Sequence, residues 1–240
     1  VINDATVETS NGHRINAYTD VNNGYISDGL VLWYDGYANT GKGRPNSTTT
    51  WKNLASSSLD GTLTGGTWYK DYLYFDGTDD WVKIAAMNYA NPTVEVVYKK
   101  TAFTGNAEEV LVGNFNSGGY GITYLSSNSN KIIGEFHVNG AWNLLYNDIT
   151  LNKTDTLATS FNGSAMKLFS NGSLVDQLSL SGTIGAPTNS TIMVIGANPN
   201  GTSVSASSHF LGNIYSVRIY NKALTDDEVL HNYNQDKQKF

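Results

Sequence analysis

The segment GNIYSVRIYNKALTDDEVLHNYNQDK, residues Gly212 to Lys237, decides how the chain closes. Its first half alternates like a strand. Ile214, Ser216, Arg218 and Tyr220 share one face, and Tyr215, Val217 and Ile219 share the other, which is the more apolar and reads as the core face. Its second half reads as a helix start. Thr225 stands as N-cap with Glu228 three residues on, and Asp226, Asp227 and Glu228 place acid in the first turn, where the helix dipole favours it. This spacing predicts a helix from Asp226 to about Tyr233. Leu224 ahead of the cap is placed to pack on Val229 as a hydrophobic staple.

Working outward, the chain from Gly29 is a succession of short β-branched and aromatic runs. These include GLVLWY, YLYFDG, WVKIAA, TVEVVYK, GITYL, KIIGEFHV, TLATSF and TIMVIGA, separated by Asn, Ser, Thr and Gly turn clusters. That pattern predicts an all-β, antiparallel sandwich with a short C-terminal helix, and the absence of strand–helix alternation argues against a parallel sheet. Asn171-Gly172 between two alternating runs is the strongest hairpin signal, with Asn139-Gly140 and Asn162-Gly163 behind it. Residues 1–27 show no sustained period and read as an N-terminal arm or linker, leaving 28–240 as one domain.

Composition narrows the partners. Of 240 residues only 15% are charged, against about 25% in an ordinary globular protein, so neutral polar groups cover the surface. A net charge of −6 with no basic stripe argues against nucleic acid. No cysteine is present to form a disulfide or a thiolate metal site, and no apolar run is long enough to span a bilayer. This surface suits an extracellular, cell-surface or virion setting, and the chain reads as a domain taken from a larger protein.

The order of GLVLWYDG, WKNLASSSLDGTLTGG, LYFDGTDDWVKI, LFSNGSLV, IMVIGANPNG and the closing VRIYNKALTDDEV resembles the laminin-G-like, or concanavalin-A-like, jelly-roll domains of bacterial surface proteins, glycoside-active enzymes and phage tail proteins. The resemblance spans about Asp28 to Asn234. It implies two antiparallel sheets packed face to face in a jelly roll, and often one structural calcium ion. It implies no single activity, because one fold carries many.

Catalysis on such a scaffold would need paired carboxylates, as in a Glu-x-Asp-x-x-Glu strand. No such triplet occurs. Glu95 and Glu135 each lack an acidic partner two residues away and read as single outward carboxylates. His13, His137, His209 and His231 have no metal-ligand spacing. The expectation is therefore a protein that is not an enzyme. Asp76, Asp79 and Asp80 in FDGTDDWV offer oxygens at a bend to a hard cation such as calcium, but equally suit an Asp-Gly turn.

Fifteen tyrosines and five tryptophans carry the remaining signal. A sugar site needs an aromatic platform for the ring's C–H face and planar amides for its hydroxyls. Three stretches meet that need: Asn114, Asn116 and Tyr120; His137, Asn139, Trp142 and Asn143; and Trp68 with Tyr69. Trp33 and Trp81 read as core. Six Asn-x-Ser/Thr sequons, at Asn46, Asn152, Asn162, Asn171, Asn189 and Asn200, are expected by chance in so polar a chain. The resulting expectation is a non-catalytic carbohydrate-binding or adhesion module whose partner is a surface or wall glycan. A structural or protein-interaction domain is the alternative, and a glycoside-active enzyme the third reading.

Overall fold

A computed structural model describes residues 5–8, 14–17, 24–36, 47, 49–56, 58–126, 131–188 and 191–240; the sequons at Asn46 and Asn189 lie outside them. Two large sheets form a sandwich. The front sheet runs, in spatial order, β13 (Ala141–Asp148), β12 (Lys131–Val138), β11 (Tyr120–Leu125), β10 (Glu108–Gly113), β17 (Ile192–Ile195), β8 (Trp81–Ala85), β5 (Gly61–Thr64) and β4 (Thr50–Trp51). The back sheet runs β16 (Ser173–Ser179), β15 (Ala165–Ser170), β14 (Thr154–Phe161), β9 (Thr93–Lys100), β20 (Leu211–Tyr220), β7 (Leu73–Asp76) and β6 (Thr67–Trp68). Strand β3 (Leu30–Asp35) continues the β7 edge along the later half of β20. Two hairpins stand apart: β1 (Ala5–Glu8) with β2 (Arg14–Ala17), and β18 (Pro199–Asn200) with β19 (Ser203–Val204). Every ladder is antiparallel, as the turn-rich sequence requires.

One apolar core lies between the sheets. Leu111, Ile122, Ile132, Phe136 and Met193 from the front meet Val94, Val96, Leu157, Leu168, Val217 and Ile219 from the back. The Asn171-Gly172 turn joins β15 to β16 with both residues at positive φ, 50° and 76°, as the two-residue hairpin demands.

Strand β20 departs from simple alternation. Its register shifts between Ile214 and Ser216, so Ile214 joins the core with Val217 and Ile219, while Tyr215 is turned out against Tyr72 and Phe240. A bulge is invisible to period counting, because the extra residue resets the face. The opposite face is covered as well. Helix α1 (Asp226–Asp236) lies over it, capped by Thr225 and Glu228 in a reciprocal box and three residues longer than its spacing predicts. Leu224 and Val229 share one cluster with Ala158, Phe169 and Tyr220.

Under the helix sits a buried charge network. Arg218 binds Glu95 at 2.7 Å and Asp236 through two further bonds, and its guanidinium lies 4.2 Å from the Tyr25 ring. Tyr25 donates to Asp236 at 2.7 Å, and Asn232 bonds Glu95 and the Tyr220 hydroxyl. Tyr25 thus packs, at the end of the segment read as an arm, against Trp33 and the helix. A second buried pair, Lys100 with Glu109, ties β9 to β10 across the core, the ammonium lying among the Phe103, Tyr124 and Phe210 rings.

Because Arg218 neutralises two buried carboxylates, Arg218→Ala should cost about 3–5 kcal/mol, leaving Glu95 and Asp236 without a counter-ion. Urea unfolding read by tryptophan fluorescence checks this; a loss under about 1 kcal/mol would place the network in the class of exposed surface pairs.

Candidate functional site

The outer face of the front sheet, at its β12–β10 end, carries a cleft of about 390 Å³. Alternation puts Glu135 and His137 of β12 on this face, opposite the core residues Phe136 and Ile132. Across the ladder His137 pairs with Trp142 of β13, their rings 5.0 Å apart. The loop after β10 returns over the sheet and lays Phe115 on it, edge to face with Trp142 at 5.7 Å. That position requires two glycines: a Cβ on Gly113 would lie 2.4 Å from the Phe115 ring, and one on Gly121 2.7 Å from it. The β18–β19 hairpin, preceded by Asn198, forms the facing wall with Pro199, Asn200 and Ser205, and its Val204 packs on an outer apolar cluster of Ile192, Val194 and Ala197.

Two carboxyl groups line the cleft. Glu108 is held by Asn198, whose amide donates to it at 2.9 Å. Burial pushes its carboxyl upward against the hydrogen bonds from Asn198 and Thr123. Glu135 is only 8% exposed, and among the described residues no donor reaches its Oε1. Burial first, and the Glu108 charge second, push its carboxyl up to about 8. It therefore holds a proton at neutral pH, and its buried Oε1 stays unengaged. Phe115, Asn116, Ser117 and Trp142 supply apolar and amide surface beside it, and Trp142 keeps 39% of its surface exposed.

Of the residues singled out in the sequence, Trp142 and Asn116 line this cleft, and His137 backs the Trp142 ring. Tyr120 is a correction: it lies wholly in the core, its hydroxyl donating to the Met87 carbonyl, because β11 turns it inward between Phe136 and the back sheet. Asn114 is likewise buried, bridging Met87, Asn88 and the Tyr120 amide. Asn139 spends its amide on Ser181 and Thr183, and Asn143 on Ala141. Trp68 and Tyr69 lie at the far edge of the sandwich, Trp68 donating to Ser47 and packing on Trp51, Tyr69 stacked on Tyr72 at 4.8 Å. Trp33 is fully buried but under Tyr25 rather than between the sheets, and Trp81 is half-buried on the outer cluster.

The sequence does not single out Glu108, Phe115, Asn198 or Asn200, and Glu135 reads there as a single outward carboxylate. The readable signals were GNF, in which a glycine-flanked aromatic follows a strand, and the NPNG turn.

Asp76, Asp79 and Asp80 do gather, one oxygen from each within 4.8 Å of the others. Asp80 is buried, and its two oxygens accept the Gly66 and Asp76 amides, the second at 2.8 Å. Asp76 in turn accepts the Thr78 amide. The carboxylates thus pin a turn, and none of them lines the cleft.

With this geometry in view, a family model described as the concanavalin A-like lectin/glucanases superfamily, Laminin_G_3, matches residues 76–230. The chain belongs to this family. Among the curated proteins none matches it in sequence. Solved structures share the jelly roll: Trypanosoma rangeli sialidase at 12% identity, with 87% of this chain and 33% of that one covered and a TM-score of 0.61. The binding domain of Paraclostridial Mosquitocidal Protein 1 aligns at 14% identity, 88% and 53% coverage and TM-score 0.64. The receptor binding domain of a botulinum neurotoxin C/D mosaic serotype aligns at 14%, 87% and 52%, and 0.65. The chain spans about a third of the sialidase and about half of the toxin domains; at these identities the likeness is one of fold. Among the described residues no helix is long and apolar enough to cross a membrane.

The Glu135 proton gives a signed pH dependence. Between the ordinary glutamate range and about 8, the folded chain keeps a proton that the unfolded chain has released, so stability falls as pH rises through that window. The slope approaches about 1.4 kcal/mol per pH unit. Glu135→Gln should remove most of this slope and equal or exceed the parent in thermal stability above pH 8; an unchanged slope would show that Glu135 titrates in the ordinary range.

Proposed function

We propose that this domain is a non-catalytic carbohydrate-binding or adhesion module acting at the outer face of its front sheet, within a larger extracellular, cell-surface or phage tail protein. The observation that carries the reading is the cleft itself: an exposed tryptophan beside three asparagines, with a buried carboxyl group and a second carboxyl lining it. Such a surface offers C–H stacking from Trp142 and donors and acceptors to hydroxyls. Membership of a lectin and glucanase superfamily supports it. The weakly charged, Asn- and Ser-rich surface supports the extracellular setting. A calcium ion at Asp76, Asp79 and Asp80 is a separate proposal; at that place it would brace the turn rather than touch the glycan.

A second reading, a structural or protein-interaction domain, is favoured by one observation. Edge strand β16 exposes Leu174, Val175 and Leu178, each about 40% accessible, and unpaired edges invite strand addition.

A glycan array with the parent and Trp142→Ala separates the readings. The first predicts selective binding that weakens about tenfold in the variant, the loss of one aromatic contact of about 1–1.5 kcal/mol, and that survives chelation of calcium. Silence of the parent across the array would transfer the assignment to the interaction reading. Turnover of a test glycoside that is abolished by Glu135→Gln would instead make the two carboxyl groups a catalytic pair.

A further inference from the structure

Resting on the reading of the cleft as a sugar site, we propose that it takes a glycan residue carrying a free primary amino group, whose ammonium sits between Glu135 and Glu108 and against the Trp142 ring. Three other buried ion clusters in the described residues are internally answered: Arg218 by Glu95 and Asp236, Lys100 by Glu109, and Asp35 by Lys239. Glu135 is the exception. It is more than nine-tenths buried, it lines the cleft, and its Oε1 meets no donor. Leaving such a group unengaged carries a penalty that a ligand donor would remove.

The chemistry of the surroundings selects the donor. Two carboxyl groups and no Lys, Arg or His line the cleft among the described residues. A uronic or sialic acid would bring a third carboxyl to two that burial already disfavours as anions. A neutral hydroxyl would satisfy one oxygen and leave the Glu108 charge unopposed. An ammonium brings three donors and the opposite charge, and an exposed indole beside it adds attraction between the cation and the ring face. N-acetylation of the same sugar abolishes the charge and two of the three donors.

Binding is coupled to a proton. Below about 8 the Glu135 carboxyl is protonated in the free protein; an arriving ammonium favours the carboxylate, so one proton leaves for the buffer as the amine enters. The titratable groups that face Glu135 are few. Glu108 comes from β10, and His137 stands two residues along β12. The neighbouring strands oppose it with Gly121 and Leu144. Lys131 and Asp148 pair with each other at the far end of the ladder, and the two loops bring only uncharged side chains to the cleft.

The test is calorimetric titration with a glucosamine oligomer and with its fully N-acetylated counterpart of equal length. It is run in two buffers of different ionisation enthalpy, at a mildly acidic pH well below the Glu135 value. The amine form should bind about tenfold or more tightly and release close to one proton. Glu135→Gln should lose both the preference and the proton, with thermal unfolding confirming that it is folded, and Trp142→Ala should weaken the amine form as well. Equal or tighter binding of the N-acetylated form without proton release, or a Glu135→Gln variant that binds the amine unchanged, overturns the inference and leaves the sugar reading intact. Failure of every glycan on the array overturns both.

Discussion

The structure depends on how a sandwich with few charges disposes of those it buries. Arg218 stands in the later half of β20, between β9 on one side and β3 on the other, and its face cannot be left to water once α1 lies across it. A guanidinium there is tolerable only because Glu95 from the next strand and Asp236 from the last turn of the helix reach it together. Burial works against its charge, yet the two carboxylates prevail and hold it firmly protonated. The same contacts bring in Asn232, Tyr25 and Tyr220, so helix, sheet and the approach to β3 are fixed by one set of charge-assisted bonds.

The cleft on the other sheet is the counter-case. Glu135 is nearly as enclosed as Glu95, but among the described residues no cation answers it, and the charge that adds to its burial is that of another carboxyl, Glu108. A fold that pairs Arg218 and Lys100 so completely has the means to pair Glu135 and does not. Buried groups with displaced protonation collect where ligands bind, since burial and like charge are what a binding site imposes on its own acids. The glycines under Phe115 point the same way: they lower the floor so that an aromatic ring can lie on the sheet and support Trp142.

Much of the fold was legible in the sequence because its signals are local. The capping box at Thr225 and Glu228, the Asn171-Gly172 turn and the period-2 runs each depend on residues a few positions apart. What failed was non-local or broke the period. The bulge at Tyr215 exchanged it with Ile214, and Tyr120 turned inward because of the register of β11 rather than any property of its neighbours in sequence. The site was half legible. Trp142 and Asn116 stood out as an aromatic and an amide beside turns, but the acid beside them is separated from Glu108 by 27 positions and from Asn198 by 63, distances that only the strand order β12–β11–β10 and the β18–β19 hairpin close. An isolated glutamate in a strand carries no mark of the pocket it will floor.

The account turns on the state of one carboxyl group. Carbon-13 NMR of the Glu135 side chain, titrated in the free protein and again with saturating glycan, reads that state directly, with Glu135→Gln giving the assignment. The account predicts a midpoint near 8 in the free protein that moves sharply downward when an amine-bearing glycan is bound. A midpoint in the ordinary glutamate range, unmoved by any glycan, would contradict it.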